Sequence, residues 1–330
     1  MIIYAEPFVD YGVHTMKLKR INSTDLFVSP ICMGTALIGS EIGESESFER
    51  LDRFFELGGN FFDTANIYAD WLPDAPESAS EKTIGRWAEA RGLTADIVVA
   101  TKGGHWALRG ETTGKPRLER SALGDQIKQS CENLRVSSID LYYLHRDDLS
   151  LSVESIMDTL FENIDAGYLR YIGCSNWSLE RMKLANEYAA RCGRSGFVVS
   201  SDRWSLARFK PDRDPTIVAF DSARYEYMLA SGLTEAPFQA IGKGALSHIA
   251  AGRVPSADYD LDENYILSKR AEELAAAHGV SVAAISIAYL TNQELCVIPT
   301  VFFSREEQIR DAFIGAKIEL SVEEMAYLSL

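Results

Sequence analysis

This chain lacks several things, and each absence narrows what it can do. No run of ~18 apolar residues occurs, so no membrane-spanning helix is expected. The first residues carry Glu6 and Asp10 where a secretory signal would need a basic stretch and then an apolar one; the expected location is the cytoplasm. Basic residues are few: 33 Lys and Arg stand against 48 Asp and Glu, a formal net charge of −15. A general nucleic-acid binder needs a basic face, so the charge argues against that class, while a local phosphate site stays open. The five cysteines (Cys32, Cys131, Cys174, Cys192, Cys296) are odd in number and form no Cys-x-x-Cys pair. They read as reduced, small hydrophobic residues rather than disulfides or metal ligands. No Gly-x-Gly-x-x-Gly turn follows an early strand, and Gly34 to Gly39 is not one. That weighs against a doubly wound dinucleotide-binding sheet, the second choice of fold.

What is present is alternation. Residues 1–15 match no pattern and are expected to be an extension; 16–330 are expected to form one domain. A small hairpin is expected over Lys17–Arg20 and Leu26–Val28, turning at Asn22-Ser23. Core strands are then expected at Ile31–Gly34, Asn60–Asp63, Ile97–Thr101, Ile139–Leu144, Tyr171–Cys174, Phe197–Ser200, Pro237–Ile241 and Leu295–Val301. Helical periodicity separates them. Between the first two, for instance, Phe48, Leu51, Phe54 and Phe55 fall on one face and Gly58 stops the helix. Ser80 is read as the cap of the helix after the second strand. Eight strand–helix repeats without a linker fit a (β/α)8 barrel, an α/β fold of the TIM type. The residues beyond a typical barrel go into the N-terminal hairpin, the long loops and the tail.

Three of these strands end on, or run into, a charged or titratable residue: Asp63, Lys102 and His145. Tyr68 follows Asp63 by five residues. A charge closing an apolar strand is costly unless it is paired. If the three strands are parallel neighbours, all four side chains converge where barrel active sites form, at the C-terminal strand ends. A phenol of ordinary pKa near 10 is a poor acid at neutrality. A lysine beside it favours phenolate and lowers that pKa, an aspartate holds the lysine charged, and a histidine donates to a substrate oxygen. The product is a proton donor for a carbonyl receiving hydride.

The motifs Met33-Gly34-Thr35, Phe62-Asp63-Thr64-Ala65 with Tyr68, Ser80-Glu81 with Gly85, Thr101-Lys102, Tyr142-Tyr143-Leu144-His145-Arg146 and Ile172-Gly173-Cys174-Ser175-Asn176 resemble, in order and spacing, the aldo-keto reductase family. The resemblance runs from Met16 onward. It implies a barrel binding NADP(H) without a Rossmann domain, with Tyr68 as general acid, Lys102 and Asp63 tuning it and His145 orienting the carbonyl. By the same resemblance Ser175 and Asn176 hold the nicotinamide amide, and Trp204 stacks on its ring. Ser201 stands where a Gln is usual. Gly34, Thr35 and Ala240 join the cofactor set, and Gly242-Lys243-Gly244 wraps the pyrophosphate. Phe302 stands where Gly is usual, and Ser304, Arg305 and Gln308 receive the adenosine 2′-phosphate. Arg305 argues for NADP over NAD, because a 2′-phosphate needs a cationic donor. The expected substrate is a small aldehyde, ketone or sugar.

Competing readings are set beside this one. Trp71, Trp106, Trp177 and Trp204 each follow a strand; they are ordinary loop packing or an aromatic wall, with Trp71 and Trp106 the candidates for substrate contact. His145-Arg146-Asp147-Asp148 imitates a kinase catalytic loop, but Ser152 stands where Asn is needed and no Asp-Phe-Gly follows. A metal site on His145, Asp147 and Asp148 has no histidine cluster behind it. Two other functions stay open: a cofactor-sensing regulatory subunit, and a lyase or aldolase using Lys102 as a Schiff base.

Overall fold

Short runs of β-branched, aliphatic and aromatic residues, buried on both faces, build the centre of the molecule, as parallel strands covered by helices must. The structure, a computed structural model, describes residues 8–9, 16–110 and 114–329. The extension expected at 1–15 lies outside the described residues except for β1 (Phe8–Val9), which pairs antiparallel with β2 (Met16–Lys17). The expected hairpin is β3 (Lys19–Arg20) against β4 (Phe27–Val28).

By its contacts the chain forms two compact units, Met1–Ser29 with Met33–Ser200, and Pro30–Cys32 with Ser201–Leu330. In the first, β5 (Cys32–Gly34, from Met33 on), β6 (Phe61–Asp63), β7 (Val98–Gly103), β8 (Ile139–Leu144), β9 (Leu169–Ser175) and β10 (Phe197–Ser201, up to Ser200) follow one another in the sheet. From β5 to β9 the pairing is parallel: Gly34 faces Asp63, Asp63 faces Ala100, and Lys102 faces Tyr143. The connecting helices are α1 (Glu44–Glu56), α2 (Ala79–Arg91), α3 (Arg120–Leu134), α4 (Val153–Asp165) and α5 (Leu179–Arg191). On α1, Leu51 and Phe54 are buried and Phe48 and Phe55 half-buried, as the periodicity predicts. The hairpin is tied beneath β6, where the Asn60 amide donates to Phe27 O (3.0 Å) and accepts from Ser29 N (2.6 Å). That is the end of the strand opposite Asp63, so the hairpin is tied away from the Asp63 end.

In the second unit the strands shrink. β11 is Thr234–Glu235 and β12 is Thr300–Val301, followed or preceded by α6 (Ser222–Ser231), α7 (Ala245–Ala250), α8 (Asp262–His278), α9 (Val282–Thr291), α10 (Glu306–Gly315) and α11 (Val322–Leu328). The strand expected at Pro237–Ile241 starts earlier and is only two residues long. Its continuation survives as single contacts, Phe238 N to Asp202 O (3.1 Å) and Thr300 N to Pro237 O (3.0 Å). The expected strand at Leu295–Val301 is likewise reduced to β12 plus a bridge between Glu235 and Val297. Cys32 N donates to Pro299 O (2.9 Å), which joins the last strand to the first. The fold is a (β/α)8 barrel. Helices α8 and α9 pack with Leu246, Tyr259, Leu267, Ile285 and Leu328 into this unit's own core.

One local expectation is overturned. Ser80 does not cap α2. Ser78 precedes the helix, and Ser80 lies inside it, fully buried, its hydroxyl bonded to Thr64 (2.8 Å) and to Thr35 O (2.8 Å). The helix start is therefore pinned to the ends of β5 and β6. Further along α2, Gly85 meets the end of α3 at backbone contact. A Cβ there would lie 2.8 Å from the Leu134 carbonyl carbon and closer still to Asn133 O. Gly85→Ala gains helix propensity but must force the helices apart, and overpacking of this kind costs about 1–3 kcal/mol. Urea unfolding should show a net loss of about 1–2 kcal/mol. Unchanged stability would mean that α2 and α3 can separate freely.

Candidate active site

Register brings the expected catalytic residues together. Asp63 closes β6, Lys102 lies near the end of β7, and His145 follows β8, its backbone N–H donating to Gly103 O (2.8 Å). Lys102 Nζ lies 2.5 and 2.6 Å from the two Asp63 carboxylate oxygens, 2.9 Å from Thr64 O and 3.1 Å from the Tyr68 hydroxyl. An ammonium has three donors, so this one is fully engaged. Tyr68 OH is 3.5 Å from Asp63 Oδ1, and the Tyr68 and His145 rings sit edge to face at 6.1 Å. Asp63, Lys102 and His145 are buried; the Tyr68 ring is half-buried and so reaches the opening.

Burial dominates the electrostatics. It works against the Lys102 charge, but Asp63 and the phenol overcome it and raise the ammonium pKa above its ordinary value. Burial likewise raises the Tyr68 phenol, and here it outweighs the opposing pull of Lys102. The expectation that the lysine lowers that pKa is corrected in its net effect: the lysine pulls the phenol down, but not below its ordinary value. Burial raises the Asp63 carboxyl, with Lys102 acting against it. His145 is pushed well below the usual imidazole range by burial, with Arg146, His105 and Lys102 adding to the effect. It is therefore neutral, with one ring N–H to donate, and its buried Nδ1 has no hydrogen-bond partner among the described residues. A protonated phenol, a neutral imidazole and a fixed cation at one opening form an arrangement that can hand a proton to a substrate oxygen.

Of the tryptophans, Trp71 is 41% exposed and stands edge-on to Tyr68 at 6.2 Å. Trp106 is half-buried and packs on His105 at 4.0 Å, with the Arg146 guanidinium 5.6 Å from its ring centre. Trp177 is core instead: fully buried, donating to Arg146 O (3.3 Å). His105 was not singled out in the sequence. It lies three residues after Lys102, and its ring sits 4.9 Å from that of His145; the spacing was the only available signal. Asp147 pairs with Arg181 (2.6 Å), and Asp148 accepts from Ser150 and pairs with Lys115 (3.3 Å), so both are loop fasteners.

The residues expected to hold a cofactor are distributed as follows. Gly34 is half-buried, whereas Thr35 is buried with its hydroxyl on Asp63 O (2.8 Å) and on Ser80 (2.8 Å), a brace beneath Asp63. Asn176 adopts a left-handed conformation (φ 59°), which asparagine tolerates, and its amide donates to Ser175 Oγ (2.9 Å). In the second unit Ser201 and Ala240 are buried, and Trp204 is half-buried, stacked on Phe220 at 4.3 Å and 11°. Gly242, Lys243 and Gly244 are three consecutive left-handed residues, and Lys243 is half-exposed beside Asp258 (3.2 Å). Gln308 accepts from Ser304 N (2.7 Å) and Arg305 N (3.0 Å) at the start of α10, beside a half-buried Phe302. The Arg305 guanidinium is exposed and forms no ion pair among the described residues.

This geometry can be compared with known proteins. The chain is 30% identical over 315 residues to norsolorinic acid reductase stcV of Emericella nidulans, covering 90% of this chain and 76% of that one. It is 29% identical over 327 residues to an aryl-alcohol dehydrogenase [NADP(+)] of Phanerodontia chrysosporium, covering 92% and 82%. Among solved structures it matches a thermostable aldo-keto reductase crystallised with the inhibitor epalrestat, with a TM-score of 0.72 at 22% identity, covering 95% of this chain and 98% of that one. The model of the aldo/keto reductase family matches residues 30–329, and the chain belongs to that family.

Proposed function

We propose that this protein is an NADP(H)-dependent reductase of carbonyl compounds, aromatic aldehydes and ketones foremost, with alcohol oxidation as the reverse. The observation that carries the proposal is the 3.1 Å contact between Lys102 and the Tyr68 hydroxyl beside a neutral His145. The Trp71 ring edge-on to Tyr68, and Trp106 packed on His105, whose ring neighbours that of His145, favour a flat substrate, and the names of the relatives above point the same way.

The residues fit a phosphate-rich dinucleotide by their chemistry. Lys243 and Arg305 supply exposed cations and Ser304 a hydroxyl; the Gly242 and Gly244 N–H groups are engaged within their own turn, on Gln239 O (2.7 Å) and Ile241 O (2.9 Å), so the cations carry the fit. When bound, NADPH supplies hydride to the carbonyl carbon. In this reading His145 donates its ring N–H to the carbonyl oxygen and sets its direction. Tyr68 then delivers its proton to that oxygen as charge develops, and Lys102 stabilises the phenolate left behind. Asp63 keeps Lys102 charged and aimed. The same pairing weighs against the Schiff-base alternative, since a lysine held protonated by a carboxylate at 2.5 Å is a poor nucleophile.

Tyr68→Phe should keep NADPH binding, read by fluorescence, and lose on the order of 10²–10⁴-fold in kcat for an aromatic aldehyde. A Tyr68→Phe enzyme with full turnover would remove the phenol from the mechanism, and a wild-type protein that binds NADPH without any turnover would favour the regulatory-subunit reading. The pH dependence has a definite sign. With the phenol pKa raised, the acid form persists through neutrality, so reduction should be level there and fall only at strongly alkaline pH. Oxidation, which needs the phenolate, should rise with pH across the same range. The ion pair gives a stability prediction. Lys102→Met strands a buried carboxylate and should lose about 3–5 kcal/mol in chemical denaturation. Adding Asp63→Asn should return part of that loss; a double variant less stable than Lys102→Met would contradict it.

A further inference from the structure

The loop leaving β6 carries Tyr68, then Ala69, Asp70 and Trp71. It is wound as successive tight turns, Tyr68 N to Ala65 O (3.1 Å), Asp70 N to Ile67 O (3.0 Å) and Leu72 N to Ala69 O (2.9 Å). Leu72 O in turn accepts from Ala75 N (3.2 Å). Ala69, directly after Tyr68, is fully buried at φ +82°, a backbone state that alanine adopts reluctantly and holds only when its surroundings impose it.

One side chain from the next loop braces this turn. Arg109 Nε donates to Asp70 O (3.0 Å), and its Nη2 donates to Ala69 O (3.3 Å) and Leu72 O (2.5 Å). A planar guanidinium is suited to this, because its fork holds several acceptors in fixed relative positions, whereas an ammonium is a point donor on a flexible stem. The three carbonyls bracket Trp71. Arg109 belongs to the same loop as Trp106, so the clamp ties the loop after β7 to the loop after β6 that carries Trp71.

We propose that Arg109 is a positioning residue for substrate specificity: by holding the 69–72 turn it fixes the Trp71 ring against Tyr68 and keeps a slot shaped for planar aromatic carbonyls. This rests on the aromatic-carbonyl reading above. Tyr68 itself is anchored separately, by Lys102, so loosening the clamp displaces the wall more than the acid.

The experiment compares wild type, Arg109→Lys, Arg109→Ala, Trp71→Ala and the Trp71→Ala/Arg109→Ala double variant, using 2-naphthaldehyde and propanal with NADPH. Both Arg109 variants should lose about tenfold in kcat/KM for 2-naphthaldehyde, mainly through KM, and stay within about twofold of wild type for propanal. The double variant should be no worse on 2-naphthaldehyde than Trp71→Ala, because the clamp acts through that ring. Added ethylguanidinium should restore part of the loss in Arg109→Ala and none in Trp71→Ala. An unchanged naphthaldehyde-to-propanal ratio, or losses that multiply in the double variant, would overturn the proposal. A second readout needs no turnover: acrylamide quenching of Trp71, taken as the difference between each protein and its Trp71→Phe counterpart, should increase when Arg109 is replaced by Lys. If the wild type reduces neither aldehyde, the function reading fails, and the quenching result still decides whether the clamp exists.

Discussion

The candidate active site depends on a charge pair held out of water. Lys102 and Asp63 meet at 2.5 Å with both side chains buried. Desolvation makes each ion expensive alone, and only close geometry with every donor and acceptor occupied makes the pair tolerable. The parallel register supplies that geometry: Asp63 lies opposite Ala100 on β7, two residues before Lys102, so both side chains emerge on the same face of adjacent strands. Once the pair exists, its leftover field acts on the phenol at 3.1 Å. Thr35, Ser80 and Thr64 brace the Asp63 end of this arrangement from behind, which explains why the start of α2 is bound so tightly to two strand ends.

Much of this was legible in the sequence, for a physical reason. A charged residue that ends an apolar strand must be paired or must be functional, so Asp63, Lys102 and His145 announced themselves by position, and alternation with helices announced the barrel. Other features left no local trace. β11 and β12 are two residues long, and single backbone contacts replace ladders there, so apolar runs overstated their length. Ser80 looked like a helix cap because capping serines and buried bridging serines have the same local sequence; only its distant partners distinguish them. Trp71 and Trp177 both follow a strand closely, yet one faces solvent and the other is core. Arg109 and His105 act through loop contacts with residues 40 positions away, which no periodicity encodes.

The phenol shows how a correct qualitative argument can fail in balance. A nearby cation lowers a phenol's pKa, and Lys102 does so here. The same pocket that brings the cation close also removes water, and water is the better stabiliser of phenolate. The net result keeps Tyr68 protonated, which would suit the proton donor proposed above. The neutral state of His145 follows the same logic, with burial leading and neighbouring cations reinforcing it.

The aromatic pair in the second unit has a stereochemical consequence. Phe220 lies parallel to Trp204 at 4.3 Å, and its backbone N–H is fastened to Arg203 O (3.0 Å), so one side of the indole is permanently covered. Tyr225 stands against the edge of the stack at 6.2 Å. A third flat ring that stacks on the indole itself has a single face left to it. Whatever stacks on Trp204 therefore approaches it from one direction only.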